Sequence, residues 1–317
     1  MKCIKKTLRI IGKSIVIFLL SLVCLFVMVW GGLNIAKFGI YHEYYSIESN
    51  LCDNPGLSDG FVCQGIGVID KENKIVVSGY MKDHTASRLY VTDTENKSYY
   101  VSLYKNNKPF KGHCGGVSCS EDNVYVVSND TIFTIGIDTL LNAKNKDVIE
   151  IGEGTPVNNQ ASFSYCDDNY LYVGEFHDGG TYITNHPYQT NDGMFYAIVS
   201  KYDLNDLTKP IKIYSIRNKV QGICFTPDGK VILSTSFGLA DSHYYVYNEA
   251  DAINSNLSLD GAPVYYLNNC IRDVKGPAMA EGLDYNQGKI ITLTESACNK
   301  YIFGKFFFAN KIVLLDF

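Results

Sequence analysis

Three glutamates, Glu175, Glu281 and Glu295, and two glutamines, Gln64 and Gln221, stand where repeated β-type runs begin or end. Tyr80 and His177 occupy or adjoin the same class of position. If those runs fold alike, the spacing gathers all seven at one mouth as a ligand-binding set. Such an oxygen-rich set suits a hard divalent cation, Ca²⁺ or Mg²⁺, with Glu281, Glu175 and Glu295 as ligands. The same carboxyls can instead divide acid and base roles if burial pushes their pKa values apart. The plainest reading is that they hydrogen-bond to neighbouring strands. Other chemistry has no support. The chain holds no G-x-x-x-x-G-K-S/T cradle, G-x-G-x-x-G fingerprint, G-x-S-x-G elbow, H-E-x-x-H or C-x-x-C. His113 adjoins Cys114, but neighbours on a strand point to opposite faces, so they do not form a thiol/base pair. His113 reads as a hydrogen-bonded structural residue.

The elements that must position these residues recur. Five segments share an opening, centred on positions 65, 116, 163, 222 and 282, at intervals of 51, 47, 59 and 60 residues. Each opening is followed by a polar turn and a strand, at 74–80, 123–128, 170–176, 230–236 and 289–295. Third strands follow at 87–92, 131–137, 196–202, 243–247 and 311–316. Fourth strands read 99–104, 147–151, 211–216 and 264–267. Four strands in roughly 40–60 residues, repeated, is the pattern of a β-propeller. Five blades are favoured over six, because no sixth opening is visible. The fifth repeat stops after three strands. Residues 44–48 resemble 213–217, so an N-terminal strand is expected to close the ring and cover the open edge. The fold class is therefore all-β. Glycines at the openings allow close approach of backbones near the axis. Phe163 breaks that pattern and is expected to plug part of the channel.

The repeats resemble known families. Arg88-Leu89-Tyr90-Val91-Thr92-Asp93 is similar to the repeat core of the YVTN surface propellers. Gln221-Gly222-Ile223 through Thr226-Pro227-Asp228-Gly229-Lys230 resembles openings in NHL, strictosidine-synthase-like and SMP-30/lactonase-like propellers. The resemblance covers the fold and no single activity, and those families often have six or seven blades. It implies a divalent metal on the axis in the SMP-30-like case, with Glu281 in a comparable Glu-Gly context.

Two loops leave second strands on the mouth face. Residues 177–194 form the longer, polar and aromatic, and read as a lid or binding loop. Residues 237–243 are the second. Connections 138–146, 203–209 and 249–262 fall on the opposite face and read as short helical turns.

The N-terminus has a different character. Residues 1–13 carry Lys2, Lys5, Lys6, Arg9 and Lys13 and no acid, and residues 14–36 are an uncharged run of 23. About 20 apolar residues cross a bilayer as a helix. The preceding cations place the N-terminus in the cytoplasm and residues 39–317 outside. A cleaved leader is disfavoured, because Trp30-Gly31-Gly32-Leu33-Asn34 is a poor cleavage site. A lipoprotein is disfavoured because Leu22-Val23 precede Cys24. The reading is a single-pass signal anchor at the cell membrane.

Charge sharpens this division. Six of the 28 basic residues and none of the 33 acidic ones lie in 1–37. Residues 38–317 therefore carry 22 bases and 33 acids, a net −11 against −5 for the whole chain. An acidic domain argues against nucleic acid as a partner. An oxidising exterior permits disulfides, with Cys52–Cys63 and Cys270–Cys298 the leading pairs. The expected function is a membrane-anchored propeller that holds a glycan, peptide or protein at its mouth. A metal-assisted lactonase or esterase and a structural surface protein are the alternatives, and whether the chain is an enzyme stays open.

Overall fold

A computed structural model describes residues 2–317. Met1 and the side chains of positions 2–5, 7 and 8, including those of Lys2, Cys3 and Lys5, lie outside the described residues. Two compact units are present, Met1–His42 and Glu43–Phe317. The first is the helix Lys2–Ile40. Within it, Arg9–Ile40 is long and apolar enough to cross a membrane, a test that a signal sequence also passes.

The second unit is a five-bladed β-propeller. Blade one runs outward through Phe61–Ile69, Lys74–Met81, Arg88–Thr92 and Tyr99–Lys105. Blade two is Gly116–Cys119, Asn123–Ser128, Thr131–Gly136 and Thr155–Pro156. Blade three is Phe163–Cys166, Tyr170–Gly174, Ala197–Asp203 and Asp206–Ile216. Blade four is Val220–Phe225, Lys230–Thr235, Ser242–Asn248 and Arg272–Gly276. Blade five takes Ala280–Asn286, Lys289–Thr294 and Lys311–Leu315 from the C-terminal end. Its outer strand, Glu48–Asp53, comes from the N-terminal end and pairs antiparallel with Lys311–Leu315. The ring is thus closed by joining the two ends of the domain in one sheet.

Alternation along these strands builds the core. Val76, Leu89, Val91, Val101 and Leu103 of blade one meet Val117, Val124, Val126 and Phe133 of blade two. Each large apolar side chain so buried contributes about 1.5–3 kcal/mol. Around the axis the inner strands are pressed together. A Cβ on Gly65 would lie 2.4 Å from the backbone nitrogen of Val117, and one on Gly116 would lie 2.3 Å from that of Ser164. The inner glycines are therefore required by contact between blades.

Four details differ from expectation. Residues 44–48 fall mostly in the short helix His42–Ile47, and the closing strand starts where that helix ends. Tyr44 is instead buried, its ring stacked on Tyr244 at 5.8 Å. Second, two segments read as fourth strands join the preceding blade. Val148–Glu150 pairs parallel with Tyr99–Lys105 of blade one. Ala262–Tyr266 pairs parallel with Asp206–Ile216 of blade three. Strand propensity cannot say which neighbour an outer strand joins. Third, Phe163 does not plug the channel. Its ring lies over Gly174 of its own blade, where a Cβ would sit 2.0 Å from it. Fourth, residues 203–209 form a tight hairpin turn between strands rather than a helical one, and in 249–262 only Glu249–Asp251 is helical, the strand Ile253–Leu259 taking most of the rest and pairing with Ala262–Tyr266; Ile137–Leu141 is helical as expected.

Candidate functional site at the channel mouth

The bulges of the inner strands decide what faces the mouth. Pairing shifts register between Cys63 and Gly65, between Val220 and Gly222, and between Ala280 and Leu283. Gln64, Gln221 and Glu281 occupy those three irregularities. A bulge leaves its extra residue unpaired and re-aims the side chain. All three residues line one cavity of about 850 Å³.

The rest of the lining follows from strand direction. Gly115 and Ser162, at or just before the starts of the inner strands, belong to it, as do Tyr80, Asn129, Ser236 and Glu295 at the ends of second strands. Of the expected ligand-binding residues, Gln64, Tyr80, Gln221, Glu281 and Glu295 come together here, and Glu175 and His177 stand outside the lining. Glu175 is wholly committed elsewhere. One oxygen accepts the Gln160 backbone N–H at 3.2 Å, and the other accepts that of Ile198 at 3.1 Å and bonds His186 Nδ1 at 2.9 Å. That bond to Glu175 is the first cause of a raised His186 pKa. His177 stacks on Tyr196 at 4.8 Å, and its Nδ1 accepts the Thr184 backbone N–H at 3.0 Å. Both residues anchor the base of loop 177–194, which forms the small hairpin of Tyr188–Thr190 and Gly193–Phe195 and sends Tyr182 into the cavity.

Glu281 and Glu295 form the chemical centre. Glu281 is 2% exposed, and among the described residues no hydrogen bond to its carboxyl is made. Burial, the facing charge of Glu295 and Cys298 together push its pKa well above the usual carboxylate range. Burial also raises Glu295, to about 7, against the pull of the Lys300 charge and of bonds from Tyr301 and Gln64. At neutral pH the pair therefore holds at least one proton, because two buried carboxylates side by side oppose each other's ionisation.

A polar relay supports Glu295. Gln64 Nε2 donates to Glu295 Oε2 at 2.8 Å, which leaves Gln64 Oε1 as the acceptor for His113 Nε2 at 2.6 Å. His113 must then carry its proton on Nε2. Burial first, and Lys300 second, lower its pKa to about 4, consistent with a neutral ring. Tyr80 packs edge-on to His113 at 4.5 Å and shares a 3.2 Å hydroxyl contact with Tyr301. Lys300 bonds the Tyr80 hydroxyl and lies 4.6 Å from the centre of that ring.

His113, Lys300 and Tyr301 were not among the residues expected from sequence. His113 precedes its inner strand in an irregular segment, and its bland reading hid its role. Lys300 and Tyr301 lie in residues 295–310, which connect two strands of blade five. That length alone, close to that of the lid-like loop of blade three, was the available signal.

The residues present do not fit a divalent metal. Among the described residues no three His, Cys, Asp or Glu side chains converge. Glu175 is removed from the other two glutamates, and Lys300 supplies positive charge beside Glu295. Cysteines also depart from the expected pairs. All described cysteines are free thiols, and Cys63 Sγ faces Cys298 Sγ at 3.8 Å rather than Cys52. Cys270 Sγ is hydrogen-bonded to the Arg272 carbonyl at 3.2 Å.

No family model and no curated protein matches the chain. Solved structures similar to it are propellers at low identity. Myxococcus xanthus glutaminyl cyclase is 10% identical with a TM-score of 0.46, covering 85% of this chain and 94% of that one. A gluconolactonase from Xanthomonas campestris is 10% identical with a TM-score of 0.38, covering 85% and 88%. Kuenenia stuttgartiensis hydrazine synthase is 9% identical with a TM-score of 0.39, covering 73% of this chain; the chain spans about half of that one, 55%. The likeness is one of fold, and none of these activities is carried over.

Proposed function

We propose that this protein is a membrane-anchored, extracytoplasmic propeller that binds a small polyhydroxylated ligand, of saccharide type, in its axial cavity. The observation that carries the reading is Glu281: a buried carboxyl lining the cavity with no hydrogen-bond partner among the described residues. A protonated carboxyl both donates and accepts, as do the amides of Gln64, Gln160 and Gln221 beside it. Tyr182 and Phe237, each 46% exposed, add faces on which a sugar ring can stack. Lys111 and Lys300 in the same lining disfavour a cationic ligand. Residues 14–36 supply the anchor, and the cations before them orient it.

Titration calorimetry of the detergent-purified full chain against a panel of mono- and oligosaccharides tests this. Glu281→Ala should weaken binding of the responding sugar at least tenfold without lowering the melting temperature. Absence of binding across the panel would remove the saccharide reading. Carbonate-resistant membrane retention, lost on deletion of residues 1–36, tests the anchor, and protease access from outside intact cells tests orientation.

The unequal carboxyls favour one second reading. A neutral Glu281 beside a Glu295 that titrates near 7 forms an acid/base pair for hydrolysis without a metal. Turnover of ester, lactone or glycoside substrates, lost in both Glu281→Gln and Glu295→Gln, would establish it.

A further inference from the structure

Cys63 and Cys298 meet across the seam between the first and last blades. Cys63 sits at the bulge of the blade-one inner strand, directly before Gln64. Cys298 lies in the turn beyond the second strand of blade five, where its N–H donates to the Glu295 carbonyl at 2.9 Å. The sulfurs are 3.8 Å apart and both residues are fully buried. A disulfide needs about 2.05 Å between sulfurs, so forming one would draw these two together by about 1.8 Å. No cation or metal site competes for either thiol among the described residues. Asn54 Nδ2 donates to Cys63 Sγ at 3.1 Å, while the Asn54 carbonyl oxygen is buried without a partner. Cys63 Sγ also donates to the Thr294 carbonyl at 3.4 Å, so the unpaired buried atom beside the two sulfurs is the side-chain oxygen of Asn54.

We infer that Cys63 and Cys298 form a disulfide that locks the ring and fixes the site-bearing turn. The inference rests on the outward placement proposed above for its source of oxidant, a low-molecular or protein disulfide R–S–S–R. The thiolate of Cys298 attacks one sulfur of the donor and expels R–S⁻. The Cys63 thiolate then attacks the Cys298 sulfur of the mixed disulfide and expels the second R–S⁻. Two thiols become one S–S bond, and the two electrons leave on two R–SH. Because both sulfurs are buried in the folded ring, the exchange precedes final packing.

Two consequences follow. The bond joins positions 235 residues apart, so it ties the end of the ring to its start. It also brackets the site. Gln64 adjoins one cysteine, and Glu295, Lys300 and Tyr301 lie within three residues of the other.

The test is peptide mapping without reduction of the full chain, alkylated during extraction from membranes, and again after refolding with oxidised glutathione. The expected result is one linked peptide joining Cys63 to Cys298. Cys63→Ser and Cys298→Ser should each lower the melting temperature by about 10 °C, with no further fall in the double variant. Linkage only after refolding would uphold the pairing and count against the outward placement. Two alkylated thiols under both conditions, or Cys63 linked to Cys52 or Cys298 to Cys270, would overturn the pairing.

Discussion

The two ends of the propeller channel enclose nearly equal spaces and use their carboxyls in opposite ways. The mouth holds about 850 Å³ and the far end about 860 Å³. At the far end, the half-buried Asp167 and the buried Asp284 are held by backbone N–H groups. Asp167 Oδ1 accepts the N–H groups of Asn169 and Tyr170 at 2.9 and 2.8 Å. Asp284 accepts the N–H of Val68 and of Tyr285, each at 2.7 Å. At the mouth, bulges and long connections leave Glu281 uncommitted. Acidic density is thus a poor guide to a site, and unspent hydrogen-bonding capacity is a better one.

The largest perturbation breaks both ends at once. Gly65→Val drives a side chain into the Val117 backbone, and should cost about 4 kcal/mol or more, read as loss of the folded circular-dichroism signal or of soluble protein. Next comes a change that separates the two ends. Asp284→Ala strands a buried Val68 N–H and should destabilise by about 2 kcal/mol in urea melts. Glu281→Gln removes no protein hydrogen bond and should leave the midpoint unchanged or raised. Equal losses from the two variants would erase the distinction.

Protonation gives a smaller, graded effect. Burial raises Glu295 to about 7 and Asp284 to about 8 in the fold. A raised carboxyl binds its proton more tightly when folded, so its contribution is complete below the unfolded pKa near 4 and fades as pH climbs through the folded value. The melting temperature should therefore fall between pH 5 and 8, and less steeply in Glu295→Gln. His113, depressed to about 4, acts in the other direction, its contribution being lost as pH falls from 6.5 toward 4. The smallest effect is expected at the far rim. Lys71 and Glu121 pair while both stay about 70% exposed, and Lys71→Ala should not move the midpoint measurably.

Much of the mouth was legible because repetition converts position in a repeat into position around an axis. Gln64, Gln221 and Glu281 share a place in their openings, and they share a wall. Lys300 and Tyr301 have no counterpart in other repeats, so repetition could not find them. Glu175 holds the right position but a wrong partner set, because loop 177–194 brought His186 to it. The exchange of outer strands was hidden for another reason. A strand such as Val148–Glu150 carries an apolar pattern without an address, and only the length and path of its loop choose the sheet.

That exchange shapes how the domain can vary. The connection between the third and fourth strands of blade two covers the rim of blade one, and the same connection of blade four covers that of blade three. The repeats overlap like roof shingles, so no single repeat is a self-contained module. Deleting or transplanting one would bare a neighbour's edge, whereas removing repeat and overlapping segment together would not. Recombination in this chain must therefore work in pairs of blades, and variation within one blade is confined to its loops.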